Sequence, residues 1–231
     1  MKRTPEPELM ADEAQADAYA AADLSELQQA MVNYFQSRCG EMARGGRLLD
    51  LGCGSGDMTI RFARANASIT ALGVDGSAPL LRHAETAVRE NGLTSRIQLE
   101  QRCIPDAALE TRSFDAVIAN SLLHHLSDPA TLWRTAIRGA KPGAPVMVMD
   151  LRRPESLSAA RAHVARHARD ARPVLRRDFF NSLCAAYRTS EIRRQLNDAG
   201  LQDFQLEEIG DLHVLAWGFA PREVPAPISS N

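Results

Sequence analysis

The stretch "LLDLGCGSGDMT" (residues 48–59) constrains this chain most: an apolar run ends in three glycines at alternate positions, and an amphipathic segment begins directly after them. A strand that turns at once into a helix needs positive φ angles, which glycine adopts without steric cost, and bare backbone there lets a ligand touch the main chain. Gly52, Gly54 and Gly56 are spaced GxGxG, and Asp57 stands where the dinucleotide-binding pattern GxGxxG wants its third glycine. With Asp50 at the strand end, two carboxylates flank the turn and would repel a pyrophosphate, so the spacing favours a cationic or phosphate-free ligand.

The rest of the chain repeats the strand-then-helix rhythm. Residues 47–52, 68–76, 96–101, 114–121 and 144–150 read as strands. Four segments between them read as helical: 56–66, 77–91, a short helical turn near 105–110, and 128–139. Such alternation predicts right-handed crossovers and a doubly wound, mostly parallel sheet, whose ligands bind beyond the C-terminal ends of the strands. Leu24, Leu27, Met31, Phe35 and Met42 predict a helix over 23–43. Late in the chain, 189–200 reads as a helix capped by Thr189 or Ser190 and by Gly200, and 203–220 as a hairpin turning at Gly210 and Asp211.

This pattern divides the chain into an N-terminal helical cap (1–44), a ligand-binding domain (45–220) with an inserted helical lid (151–189), and a flexible tail (221–231). The formal net charge of −2 supplies no field that would draw nucleic acid or an anionic membrane, and no membrane-length apolar run is present. Cys39, Cys53, Cys103 and Cys184 form no CxxC pair, so neither a zinc site nor a disulfide framework is expected, and a reducing cytoplasm is the expected compartment.

In three segments the sequence resembles the class I S-adenosylmethionine-dependent methyltransferases: "LLDLGCGSGDMT", "ALGVDGSAPLL" and "FDAVIANSLLHHLSDPATLWRTAIRGAKPGAPVMVMD". The ligand of that family is zwitterionic, carries a cationic sulfonium and has no phosphate, in keeping with the two acids at the turn. The resemblance implies a seven-stranded sheet with its last strand antiparallel. It implies that Asp50, Gly52, Cys53, Gly54 and Gly56 contact the methionine part. It further implies that Asp75, beside Gly76, holds the ribose hydroxyls, and that Asn120 with Ser121 bounds the methionine side. Relatives often follow the third strand with an aspartate and an alanine. Here "EQRCIPD" brings Arg102 and Cys103 to those positions, so adenine contacts are assigned to backbone around Cys103 and Ile104.

For the acceptor, the lid carries nine arginines against three acids. Arginine suits bidentate recognition of carboxylate or phosphate. Arg152, Arg153, Arg176 and Arg177 are therefore candidate acceptor-binding residues, and a small anionic molecule is the expected partner. His124 and His125, just past the fourth strand, are candidate bases for the acceptor's proton, and the Tyr19 hydroxyl is a candidate contact near the sulfonium. His163 and His167, at i and i+4, could bind a metal on one helix face. Without a third ligand at a recognisable spacing they read as exposed lid histidines, and no metal site is expected.

The expected reaction is methyl transfer to an oxygen, nitrogen or sulfur atom. RNA modification, non-methylating chemistry with the same cofactor, and non-catalytic cofactor binding are the alternatives. Oligomeric state cannot be read from the sequence.

Overall fold

The structure, a computed structural model, describes residues 1–6, 10–22, 25–42 and 45–222. Most of the expected tail, from 223 onward, lies outside them. Every expected strand is present: β1 (Arg47–Leu51), β2 (Thr70–Asp75), β3 (Ile97–Gln101), β4 (Ala116–Asn120), β5 (Pro145–Leu151), β6 (Gln205–Ile209) and β7 (His213–Phe219). They form one seven-stranded sheet in the order β3-β2-β1-β4-β5-β7-β6, and only β7 runs antiparallel to its neighbours.

Helices cover both faces of this sheet, and the alternation of side chains along each strand explains why both faces are apolar. Leu49 and Leu51 of β1 enter one core with Trp133, Ala136 and Ile137 of α5 (Ala130–Gly139) and Ile192 and Leu196 of α8 (Thr189–Asp198). Leu48 enters the other. There it meets Met31, Val32 and Phe35 of α2 (Ser25–Cys39), Met58 and Phe62 of α3 (Asp57–Ala65), and Val88 of α4 (Ala78–Glu90). Phe35 and Phe62 meet edge to face, with centroids 5.2 Å apart.

Three details differ from expectation. The segment near 105–110 forms turns without a helix. The cap of α8 is Arg188, one residue before Thr189, because the Glu191 carboxylate accepts the Arg188 backbone N–H at 2.8 Å and closes the first turn there. The N-terminal cap contains a second helix, α1 (Glu13–Ala20), started by Asp12, whose side chain accepts the Gln15 N–H.

The insertion after β5 forms α6 (Leu157–His167) and α7 (Pro173–Ala185), with a core of its own around Ala160, Val164, Leu183 and Leu212. Residues 1–6 run over this insertion. The Arg3 guanidinium stacks 4.2 Å over Tyr187 and donates to the carbonyls of Ala185, His124 and Leu126.

Candidate active site

Strand order reverses between β1 and β4, and an opening forms there at the C-terminal ends of the strands. It is a cavity of about 1160 Å³, bounded by the glycine turn, the ends of β2 and β4, α1, α7 and the β6–β7 turn.

One side of the cavity is built for a ligand that reads backbone. Gly52, Gly54 and Gly56 all have positive φ (70°, 53° and 83°). A Cβ on Gly54 would project into the cavity, meeting only Tyr19 and Leu80 at 3.9 and 4.0 Å, so glycine keeps the main chain open. Asp75 closes β2, with one carboxylate oxygen accepting from the Gly54 N–H at 2.9 Å and the other from the Ser77 N–H at 2.8 Å. Burial pushes its carboxyl up, and the two amides counter that. Each oxygen retains acceptor capacity for a ligand hydroxyl. Beyond β4, Asn120 Oδ1 is buried without a hydrogen-bond partner among the described residues, and Ser121 is held at φ 55°, a conformation that costs a non-glycine residue strain. An orphaned acceptor on the cavity wall fits an ammonium donor.

The other side carries ionisable groups. The turn Leu123–His125 places His124 against the end of β5. Its Nδ1 lies 2.5 Å from Asp150 Oδ1, and its backbone N–H also donates to Asp150 Oδ2. Both side chains are buried, at 3% and 2% exposure. Burial alone would lower the imidazole, yet the Asp150 carboxylate prevails and raises it. Asp150, despite its own burial, is held below the usual carboxylate range by His124. Because Nδ1 faces a carboxylate, it carries the proton and Nε2 is left as the acceptor. Glu6 Oε1 sits 3.3 Å from His124 Nε2 and 3.4 Å from His125 Nδ1, and burial raises the Glu6 carboxyl.

Most of the residues expected at the site line the cavity: Tyr19, Gly52, Gly54, Asp75, Gly76, Cys103, Ile104, Asn120, Ser121, His124 and His125. Asp50 does not. It points to α3, is 1% exposed and accepts from Thr59 Oγ1 at 2.6 Å, and burial pushes its carboxyl up to about 7. Cys53 is buried behind the turn, and Gly56 packs against Ala84 of α4. Tyr19 lies over the glycine turn. Desolvation, aided by Asp57, Asp75 and Asp150, pushes its hydroxyl up to about 12, so it is a hydrogen-bond donor and no base.

The four arginines expected to bind the acceptor all fall outside the cavity lining. Arg152 pairs with Glu208 of β6 at 3.2 Å, and Arg153, 3% exposed, joins Glu191 of α8 at 2.6 Å and the Ala186 carbonyl, so Arg152 ties the insertion to the sheet and Arg153 ties it to α8. Arg176 and Arg177 line a separate shallow groove between α6 and α7. The insertion is amphipathic, and its abundant arginines follow the solvent and the local acids. Glu6, Asp150 and Asp178 were missed. Asp150 had a legible signal, an acid at the C-terminal end of a strand; Glu6 had none, because only the path of the N-terminal segment brings it in.

Residues 43–200 match the family described as methyltransferase domain. The chain belongs to the methyltransferase-domain family. It is a class I, S-adenosylmethionine-dependent member, and the site fits that cofactor at Asp75, at the open glycine backbone and at the orphaned Asn120 oxygen. It is 35% identical over 169 residues to a ubiquinone biosynthesis O-methyltransferase of Methylococcus capsulatus, covering 72% of this chain and 67% of that protein. A 27-O-demethylrifamycin SV methyltransferase of Amycolatopsis mediterranei is 28% identical over 75% of this chain and 60% of its own length. The chain spans 44% of the length of other ubiquinone biosynthesis O-methyltransferases it matches. The fold superposes on a methyltransferase from Aquifex aeolicus with a TM-score of 0.66 at 18% identity, covering 90% of this chain and 98% of that one.

Proposed function

We propose that this methyltransferase methylates a hydroxyl group of a small, largely apolar molecule, with His124 taking the hydroxyl proton. The observation that carries this reading is the His124–Asp150 pair: a carboxylate fixes the tautomer, orients the ring and leaves a basic Nε2 beside Glu6 on the cavity wall. S-adenosylmethionine supplies an electrophilic methyl group on a sulfonium. His124 Nε2 would take the proton of the acceptor hydroxyl and so free its oxygen to accept the methyl group. Asp150 stabilises the imidazolium so formed, and Glu6 offers the proton a route onward. Tyr19 and the insertion exclude water and hold the acceptor in line, a contribution that depends on orientation.

The lining supports a neutral acceptor and replaces the anionic one expected from the lid arginines. Glu6, Asp170, Asp178 and Asp211 line the cavity together with Leu126, Leu151, Leu175 and Phe179, whereas its arginines among the described lining residues are Arg172 and, beside Cys103 and Ile104, Arg102. The related proteins named as O-methyltransferases support oxygen as the acceptor atom.

The test is the pH dependence of kcat on a phenolic or catecholic acceptor. Neutral His124 is the active form, so kcat should rise with pH through a midpoint above the usual histidine value of about 6.5. In Asp150→Asn, burial is left without its main counterweight, and the midpoint should fall below the wild-type one while kcat drops about 100-fold or more. A profile unchanged by Asp150→Asn and by His124→Gln would remove the base from the mechanism.

A further inference from the structure

The far end of the cavity holds a second cluster that methyl transfer does not use. His163 and His167 sit one turn apart on α6, with ring centroids 6.0 Å apart and planes inclined by only 25°. The β6–β7 turn delivers Asp211 to the same place: its Oδ2 lies 3.6 Å from His163 Nδ1 and 3.5 Å from His167 Nε2. All three donor atoms fall within 4.8 Å of one another. The sequence hides this arrangement, since Asp211 is 44 residues beyond His167 and reaches it only through the sheet's final hairpin.

We infer that His163, His167 and Asp211 bind a divalent transition-metal cation of the zinc class, which fastens the helical insertion to the β6–β7 turn.

Three observations carry this. Donors about 2.0–2.1 Å from a tetrahedral zinc stand about 3.3 Å apart, so the two Asp211–histidine separations need to contract by only a few tenths of an ångström. His163 Nδ1 is buried and has no hydrogen-bond partner among the described residues, and 3.6 Å is too far for one to Asp211. A buried ring nitrogen that faces a carboxylate and a second imidazole without a hydrogen bond is placed to take a cation. Two imidazoles and one carboxylate select zinc, cobalt or nickel over magnesium or calcium, which prefer oxygen alone.

Arg166, on the same helix, is the competing cation, with Nη1 2.8 Å from Asp211 Oδ2. Its side chain is 69% exposed and can withdraw into solvent, giving up that one ion pair. His167 and Asp211 line the cavity, as does His213 at the start of β7. The remaining coordination positions therefore open toward the acceptor side. Bound metal would hold the insertion closed over the acceptor.

Glu6, His124 and His125 also lie close enough to share an ion, so the experiment separates the two clusters. Full-length protein freed of metal with a chelator is titrated with Co²⁺, and the visible absorption of the ion in a low-coordinate N/O site is followed; Zn²⁺ is then added in competition. The expectation is one equivalent bound with a d–d band that Zn²⁺ removes. His167→Ala and Asp211→Asn, both at partly exposed positions, should each weaken binding about tenfold or more, and His125→Ala should leave it unchanged. Zn²⁺ should also raise the Tm of wild type and leave that of Asp211→Asn where it was. Absence of the band, or a band that survives both lid-side variants and disappears in His125→Ala, would overturn the inference. The second outcome would put the ion at the catalytic histidines.

Discussion

Asp75 and Asp50 end consecutive strand-to-turn units, yet the structure gives them opposite tasks. Asp75 faces the cavity and accepts from two amides, so Asp75→Ala should weaken S-adenosylhomocysteine binding by about 1.5–3 kcal/mol, read by calorimetry. An unchanged affinity would remove the ribose assignment. Asp50 is sealed against α3, with one oxygen unpartnered among the described residues. Its folded carboxyl, at about 7, holds its proton to higher pH than the unfolded value of 3.8. The stabilising contribution is thus complete below that unfolded value and is lost as pH rises toward 7. Asp50→Asn, which keeps the Thr59 partner and cannot ionise, should therefore gain stability over wild type in urea unfolding of the cofactor-free protein at pH 8, and the gain should vanish near pH 4. Equal differences at both pH values would show that the charge is not what burial penalises.

At the scale of elements, the close contacts are as specific as the charges. Gly218 of β7 leaves room for the Phe204 ring, and an added Cβ would lie 2.4 Å from it. Phe204 is 2% exposed in the core beneath α8 and cannot move aside. Gly218→Ala should cost about 1–3 kcal/mol of stability in urea unfolding, with cofactor affinity in the surviving folded protein unchanged. The central strands were legible because each is a short apolar run between turn residues, and the glycine turn because its φ angles admit little else. At the sheet edges, β3 was legible because it alternates apolar and polar residues, and β6 because it leads into the turn at Gly210 and Asp211. The acceptor-binding arginines were misread for a physical reason: charge counts along an amphipathic insertion do not say which face looks inward. Arg153 illustrates this, since it is buried in a structural ion pair with Glu191. Glu6 and Asp211 could not be found from local pattern, because each joins its histidines only through long-range chain paths.

For the whole molecule, the N-terminal segment and the insertion make the acceptor side out of parts distant in sequence. Arg3 donates to three carbonyls, Glu6 meets both histidines, and Gln15 of α1 donates to Asp178 of α7 at 2.9 Å. Deleting residues 1–6 should raise the acceptor KM and lower kcat, while S-adenosylhomocysteine affinity stays within about twofold, because none of these contacts reaches the glycine turn. Equal losses on both sides would mean that the segment supports the entire cavity. The central claim is that one cavity joins S-adenosylmethionine to an acceptor hydroxyl through His124. Its most direct test is mass spectrometry of products formed from S-adenosylmethionine and a panel of neutral phenols and catechols, with wild type and His124→Gln compared at equal cofactor occupancy. The account predicts a singly O-methylated product whose rate of formation falls about 100-fold or more in the variant. Methylation at nitrogen or sulfur only, or O-methylation at an undiminished rate in His124→Gln, would contradict it.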